Sequence, residues 1–265
     1  MYSRITLAYK FLKYLVTSSN GKGHGIHSPF VFDFVTHILN DQQELASFRE
    51  IELLRSQLLT DTRMISVVDL GAGSGLIKTR ERLVRDIALS SLKPKKFSQL
   101  LFRLVQYFHS KTIIELGTSF GISTAYMAVA NEKATVFTLE GSSSIAAVAR
   151  EQFSRLNLEN INLIPGNFDD TLPLLLTETG SVDLVFIDGN HRKEPTLRYF
   201  YLILNHISPS SVLVFDDIHW SLEMEEAWDS IKKHPSVTLT IDLFFIGIVF
   251  FQPGILQKQD FVIRY

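Results

Sequence analysis

The 265-residue chain predicts an α/β fold, a doubly wound and mostly parallel sheet of seven strands with an antiparallel C-terminal hairpin and a mainly helical N-terminal cap. Three observations predict it. Short apolar runs (112–114, 134–139, 161–164, 184–187 and 211–215) alternate with stretches of helical spacing, the pattern of parallel strands covered on both faces. Successive runs end in polar residues, Glu115, Glu140, Asn167, Asp188 and Asp216-Asp217, where a parallel sheet places its ligand. After Pro235 two strand-like runs, 237–241 and 245–251, are separated by only a few residues, the spacing of a hairpin. The cap is assigned to residues 1–96 and the sheet domain to 97–265.

The elements follow in order. Residues 2–17 carry Ile5, Leu7, Ala8, Phe11, Leu12, Leu15 and Val16 at spacings that put them near one face of an amphipathic helix. Ser18-Ser19-Asn20-Gly21 ends it. A glycine-rich piece then leads to Ser28 as a cap with Pro29 at the first helical position, opening a helix to about Leu39. His24 and His27 in that piece read as loop polarity near the cap, the alternative being a substrate entrance or a metal site. Residues 42–59 repeat Leu45, Phe48, Ile51 and Leu54 at helical intervals.

The run Gly71-Ala72-Gly73-Ser74-Gly75 resembles a nucleotide loop, yet no strand ending in an acid follows it some 20 residues on. It reads as a structural turn or a lid. The basic residues after it, Lys78 to Arg103, read as a solvated helical face. A helix from Phe97 leads into the strand at Thr112. Residues 142–156 form the next helix, capped by Ser142 or Ser143, and another carries Leu197, Phe200, Tyr201 and Leu204. The last is capped by Ser221, with Glu223, Glu225 and Glu226 near its start and Lys232, Lys233 and His234 at its end, charges that complement the helix dipole. Phe261–Ile263 extends the edge formed by the hairpin.

Composition bounds the function. Hydrophobic residues make up 46% and charged residues 20%, enough for a core, and the net charge of −2 gives no general attraction to nucleic acid or to an anionic membrane. With no cysteine, disulfides, thiolate metal sites and cysteine nucleophiles are excluded together. The N-terminus lacks the pattern of a signal peptide, and the longest apolar runs fall short of the ~20 residues that span a bilayer. The expectation is a cytoplasmic protein acting on a small molecule, with neither nucleic acid nor membrane as partner; a homodimer is compatible with it.

The chemistry centres on Lys111–Ala128, KTIIELGTSFGISTAYMA. An apolar strand ends at Glu115, turns through Gly117 and Gly121, and enters a helix, the unit that aims backbone N–H groups and a helix N-terminus at a ligand. About 20 residues on, Glu140 ends the next strand, where such folds put the acid that holds a ribose. A nucleoside-containing cofactor is the expectation. The same Gly117-Thr118-Ser119-Phe120-Gly121 also satisfies G-x-S-x-G, the nucleophile elbow of serine hydrolases. Context argues against the elbow, because its strand normally follows several earlier ones and a hydrolase has no use for Glu115 and Glu140 at adjacent strand ends.

Over about Phe97 to Phe251 the chain resembles the class I S-adenosylmethionine-dependent methyltransferases, which have Rossmann-like folds. The carriers are IIELGTSFGIST, VFTLE, VDLVFIDGNHRKEP and SVLVFDDIHW, and the form E-x-G-x-x-x-G from Glu115 to Gly121. The small-molecule O-methyltransferases of the catechol type and their bacterial relatives are the nearest in flavour. The resemblance implies that Glu115, Gly117, Ser119 and Gly121 surround the methionine end of S-adenosylmethionine, that Glu140 binds the ribose hydroxyls and that Asn167-Phe168 lie near the adenine. Ser123, Gly141 and Asp188 complete the cofactor-binding set. It further implies that Asp188, Asp216 and Asp217 match the positions that hold Mg²⁺ or another divalent cation in the metal-dependent members; other relatives of the fold need no metal. The catechol enzymes have a lysine base three residues after the first of these acids, where this chain has His191. His191, Asp188, Asp216 and His219 form the expected catalytic set. A cofactor-binding protein without chemistry is the reading outside enzymology.

Overall fold

The computed structural model describes residues 1–23, 25–69 and 78–265. His24 and the Gly71–Gly75 run therefore lie outside the described residues. The chain comprises α1 (Arg4–Thr17), α2 (Pro29–Phe34, continued by a π-helical turn Val35–Leu39), α3 (Ala46–Leu58), β1 (Met64–Asp69), β2 (Lys78–Leu83) and α4 (Val84–Ser91). Next come α5 (Lys95–Tyr107), β3 (Thr112–Leu116), α6 (Ile122–Ala130), β4 (Thr135–Glu140), α7 (Ser143–Arg155), β5 (Ile161–Pro165) and α8 (Phe168–Thr179). The last elements are β6 (Val182–Ile187), α9 (Lys193–Ile203), β7 (Ile207–Asp216), α10 (Leu222–Lys233), β8 (Leu239–Asp242), β9 (Ile246–Phe250) and β10 (Gln259–Val262). The fold is the expected Rossmann-like one, mostly parallel with flanking helices.

Two compact units divide the chain, residues 43–180 and residues 1–42 with 181–265. The N-terminal segment 1–96 is thus shared between them. In the unit of residues 43–180, β4 lies between β3 and β5 and pairs parallel with both, Glu115 opposite Thr138 and Glu140 opposite Pro165. Its core joins Phe48, Ile51, Leu54 and Leu58 of α3 to Phe102 of α5, to Phe120 of the glycine turn and to Ile122, Ala125 and Tyr126 of α6. The Phe48 ring stands edge-on to Phe102 at 4.8 Å between centroids, an arrangement favoured by the aromatic quadrupole. The glycine turn is thereby seated on a packed floor.

In the other unit, β6 and β7 run parallel, β7 and β8 both pair antiparallel with β9, and β10 pairs parallel with β8. The expected hairpin is β8–β9, and β10 extends its edge as the Phe261–Ile263 run predicts, beginning at Gln259. β6 and β7 are buried along most of their length, so β-branched and aromatic residues fill both faces.

Two expectations are corrected. Lys78–Leu83 is not a helical face but strand β2, paired antiparallel with β1 from Met64↔Leu83 to Asp69↔Lys78. The run Met64–Val68 offers a strand edge, and pairing with it satisfies the backbone of a segment whose charges say little about its conformation. On α1 the apolar residues do not share one face. Phe11 and Tyr14 pack on Phe244, with ring centroids 5.0 and 5.3 Å away, while Ile5, Leu12 and Val16 are 84%, 61% and 83% exposed. Two rows at helical spacing coexist on this helix, and spacing alone does not separate them. Helix α8 adds to the expected elements: Asn167 caps it by accepting from the Asp169 N–H, and Asp169 and Asp170 sit in its first turn. That cap-plus-acids pattern is a helix start.

Candidate functional site

In the unit of residues 43–180 the glycine turn and the carboxyl ends of β3, β4 and β5 form one cluster of candidate site residues. The amides of Gly117 and Thr118 donate to the Leu139 carbonyl at 3.0 and 3.2 Å, stitching the turn to β4. Gly117, Ser119 and Gly121 all have positive φ, at 105°, 49° and 80°. At Gly121 a Cβ would stand 2.3 Å from Cε1 of Phe153, so glycine is required for space as well as for backbone angle. Glu140 closes the loop: its Oε2 accepts the Ser119 N–H at 2.9 Å and its Oε1 the Ser142 N–H at 3.0 Å. Burial raises the Glu140 carboxyl above its ordinary range, against the pull of backbone N–H donors from Ser142, Ser119 and Gly141. Gly166 N–H donates to the Glu140 carbonyl at 2.9 Å and so brings Asn167 and Phe168 to the neighbouring strand end. Asn167 is exposed and Phe168 half-buried.

Glu115 and Ser123 sit beneath this turn rather than on its ligand side. Glu115 is fully buried. Its carboxylate accepts from the hydroxyls of Ser123 at 2.6 Å, Thr138 at 2.6 Å and Thr124. Thr138 has given its proton to Glu115, so Thr118 donates to Thr138 at 2.6 Å. This buried network ties β3, β4, the turn and the start of α6 together, a positioning role for two residues expected to touch the ligand. Burial pushes the Glu115 carboxyl up to about 7, in spite of the three hydroxyl donors.

Ser119 is half-buried, and its hydroxyl lies 2.7 Å from that of Ser91 at the end of α4. Its positive φ would suit a nucleophile elbow. A serine nucleophile needs a base within hydrogen-bond reach, however, and the partner here is a second hydroxyl.

The other unit carries its own cluster at the carboxyl ends of β6 and β7. Asp188, His191 and Asp216 offer ligand atoms that all lie within 4.8 Å of one another, the one such group among the described residues. His191 Nε2 stands 3.6 Å from Asp188 Oδ1. Asp216 is 2% exposed at the last register position of β7, opposite Ile246 of β9. His191 takes the third place that Asp217 was expected to fill. Asp217 has φ 54°, and its N–H donates to the Phe245 carbonyl at 2.7 Å, so it shapes the turn after β7. Two carboxylates and an imidazole fit a divalent cation, and the nitrogen donor favours manganese, iron, cobalt or zinc over the all-oxygen preference of magnesium.

His219 goes elsewhere. Its Nδ1 is 3.0 Å from Glu225 Oε1 and its Nε2 2.8 Å from Asp242 Oδ2. Glu225 also accepts from the Tyr2 hydroxyl at 2.7 Å and from Lys10 Nζ at 2.9 Å. Burial lowers the His219 pKa, but hydrogen bonds to and the charges of Asp242 and Glu225 outweigh it, so the imidazole ends above its ordinary value. With both ring nitrogens engaged, His219 joins α10 to β8 through Glu225 and Asp242, apart from the catalytic set to which it was assigned, and Glu225 in turn holds Lys10 of α1. Tyr2 and Lys10 were missed because partners more than 200 residues apart leave no local pattern.

Residues 114–218 match the family described as a methyltransferase domain. A catechol O-methyltransferase of Niastella koreensis is 38% identical over 126 residues, 46% of this chain and 55% of that protein. A tRNA (guanine-N(7)-)-methyltransferase of Mycoplasma mobile is 29% identical over 141 residues, 49% of this chain and 68% of that protein. The chain thus spans only about half the length of the first of these curated relatives. Among solved structures, the S-adenosylhomocysteine-bound methyltransferase PaMTH1 of Podospora anserina superposes with a TM-score of 0.59 at 14% identity, over 95% of this chain and 97% of that one.

Proposed function

We propose that this chain is a class I S-adenosylmethionine-dependent methyltransferase that methylates a hydroxyl oxygen of a small molecule, a reading that proceeds from the match of residues 114–218 to a methyltransferase domain. The observation that carries the reading is the Glu140 carboxylate, anchored by the Ser119 and Ser142 amides at the end of β4. A carboxylate so oriented is preorganised for a vicinal diol. Gly117, Gly121 and Gly141 let the backbone approach the ligand, and Asn167 and Phe168 supply the neighbouring rim.

When bound, S-adenosylmethionine supplies an electrophilic methyl group. The chain's contribution is to position the acceptor and take its proton. Asp188 and Asp216 are assigned to the acceptor hydroxyl, Asp188 being assigned to cofactor binding as well, and His191 is assigned as the base, its imidazole suited to proton transfer near neutral pH. If a divalent cation is held instead, Asp188, Asp216 and His191 would be its ligands, the imidazole lone pair would serve the cation in place of the base role, and the cation would favour the ionised acceptor oxygen. The match to a catechol O-methyltransferase supports a hydroxyl acceptor.

Calorimetry with S-adenosylhomocysteine, followed by transfer of labelled methyl to a panel of hydroxylated aromatics, tests the reading. Binding that is lost in Glu140→Ala, together with methyl transfer that is lost in Asp216→Ala, is the expected result. Failure of the wild-type protein to bind S-adenosylhomocysteine would sink it.

A further inference from the structure

The hydrogen bonds around Ser119 have a direction. Ser91, the last residue of α4, donates its hydroxyl proton to the Ile87 carbonyl at 2.8 Å, and a carbonyl can only accept. The Ser91 hydroxyl has one proton. Its 2.7 Å contact with the Ser119 hydroxyl therefore has Ser119 as donor. Ser119 has in turn committed its amide to Glu140, at 2.9 Å. Both of its protons point into the protein, and the hydroxyl oxygen keeps only lone pairs for a ligand.

We propose that Ser91 is a positioning residue for the cofactor site, orienting the Ser119 hydroxyl so that it acts as an acceptor toward a donor or cationic group of the ligand. The inference rests on the cofactor reading above, in which the group at hand is the ammonium of the methionine end. Ser91 lies in α4, before the matched residues 114–218, so a segment outside the family match sets the polarity of the turn. Two constraints act on one strained residue. Ser119 is a non-glycine residue in the left-handed region at φ 49°, a conformation that persists when its surroundings over-determine it. Glu140 holds its amide and Ser91 holds its hydroxyl. The same polarity makes Ser119 a poor nucleophile, since its proton goes to a hydroxyl and not to a base.

The test is a double-mutant cycle read by calorimetry with S-adenosylhomocysteine and with the same compound lacking its α-amino group. Ser91→Ala is expected to weaken S-adenosylhomocysteine by roughly three- to tenfold, the range of one net hydrogen bond. Its melting temperature should stay within about a degree or two, because exposed surface changes contribute little to stability. Ser91→Thr, which keeps a hydroxyl able to bond the carbonyl four residues back, should restore affinity. In the Ser119→Ala background Ser91→Ala should have no further effect, and the deaminated compound should bind both Ser91 forms alike. A wild-type protein that binds S-adenosylhomocysteine while Ser91→Ala binds it equally well overturns the inference, as does an equal loss in both backgrounds or for both compounds. A wild-type protein that binds neither compound overturns the cofactor reading itself.

Discussion

Ser119 and Glu140, on different strand ends, are joined by a 2.9 Å hydrogen bond from the Ser119 amide to the Glu140 carboxylate. The glycine turn and the acid proposed to hold the ribose are thus one unit, and a change at Glu140 acts on both. Glu140→Ala should weaken S-adenosylhomocysteine at least tenfold, and Glu140→Asp, whose shorter arm cannot span both amides, should fall between. An affinity for Glu140→Ala within twofold of wild type, measured by calorimetry, would refute the assignment.

Gly121 is fixed by space. Gly121→Ala places a methyl 2.3 Å from the Phe153 ring and imposes φ 80° on a residue with a side chain. The expected destabilisation is roughly 2–4 kcal/mol, strain plus overpacking. Adding Phe153→Ala should cost less than the sum of the two single changes, because the clash is removed. Additive effects in urea unfolding would show that backbone angle alone decides.

Glu115 sets a pH dependence. Its folded-state carboxyl, pushed up to about 7, lies above the ordinary value of 4.5. Stability from such a group is fully present below the ordinary value and is lost as pH rises through about 7. Wild type should therefore lose stability relative to Glu115→Gln between about pH 5 and about pH 8. A stability difference that is flat over that range would contradict the shift.

The acid cluster makes a metal test possible without a known acceptor. Mn²⁺ should raise the melting temperature by mass action. Asp188→Asn and Asp216→Asn should weaken Mn²⁺, followed by electron paramagnetic resonance, by tenfold or more. If His191 is a ligand, His191→Ala should do the same. Undiminished Mn²⁺ affinity in His191→Ala would leave this residue the base alone, and no Mn²⁺ binding by wild type would remove the metal.

A serine-directed fluorophosphonate should leave Ser119 unlabelled, since its hydroxyl proton goes to Ser91. Stoichiometric labelling at Ser119, found by peptide mass spectrometry, would restore the nucleophile elbow.

Much of this was legible in one dimension because it is local. Apolar runs alternating with helical spacing, a strand–glycine–helix unit and acids at strand ends each depend on residues within a few positions, and backbone geometry ties such patterns to structure. So β3 to β7, the β8–β9 hairpin, Glu140 and the pair Asp188 and Asp216 could be read directly. What tertiary structure decided is where chemically similar residues point. Glu115 and Glu140 end adjacent strands in the same type of pattern, yet Glu115 is enclosed by Ser123, Thr124 and Thr138 while Glu140 faces the turn. His191 and His219 each follow a strand-end acid by three residues, yet one joins Asp188 and Asp216 and the other is held by Glu225 and Asp242. Beside partners a few residues away, each is fixed by one from another strand: Thr138 for Glu115, Asp216 for His191 and Asp242 for His219. A hydrogen bond is directional and acts over about 3 Å, so which partner arrives is set by packing, and no spacing within the sequence encodes it.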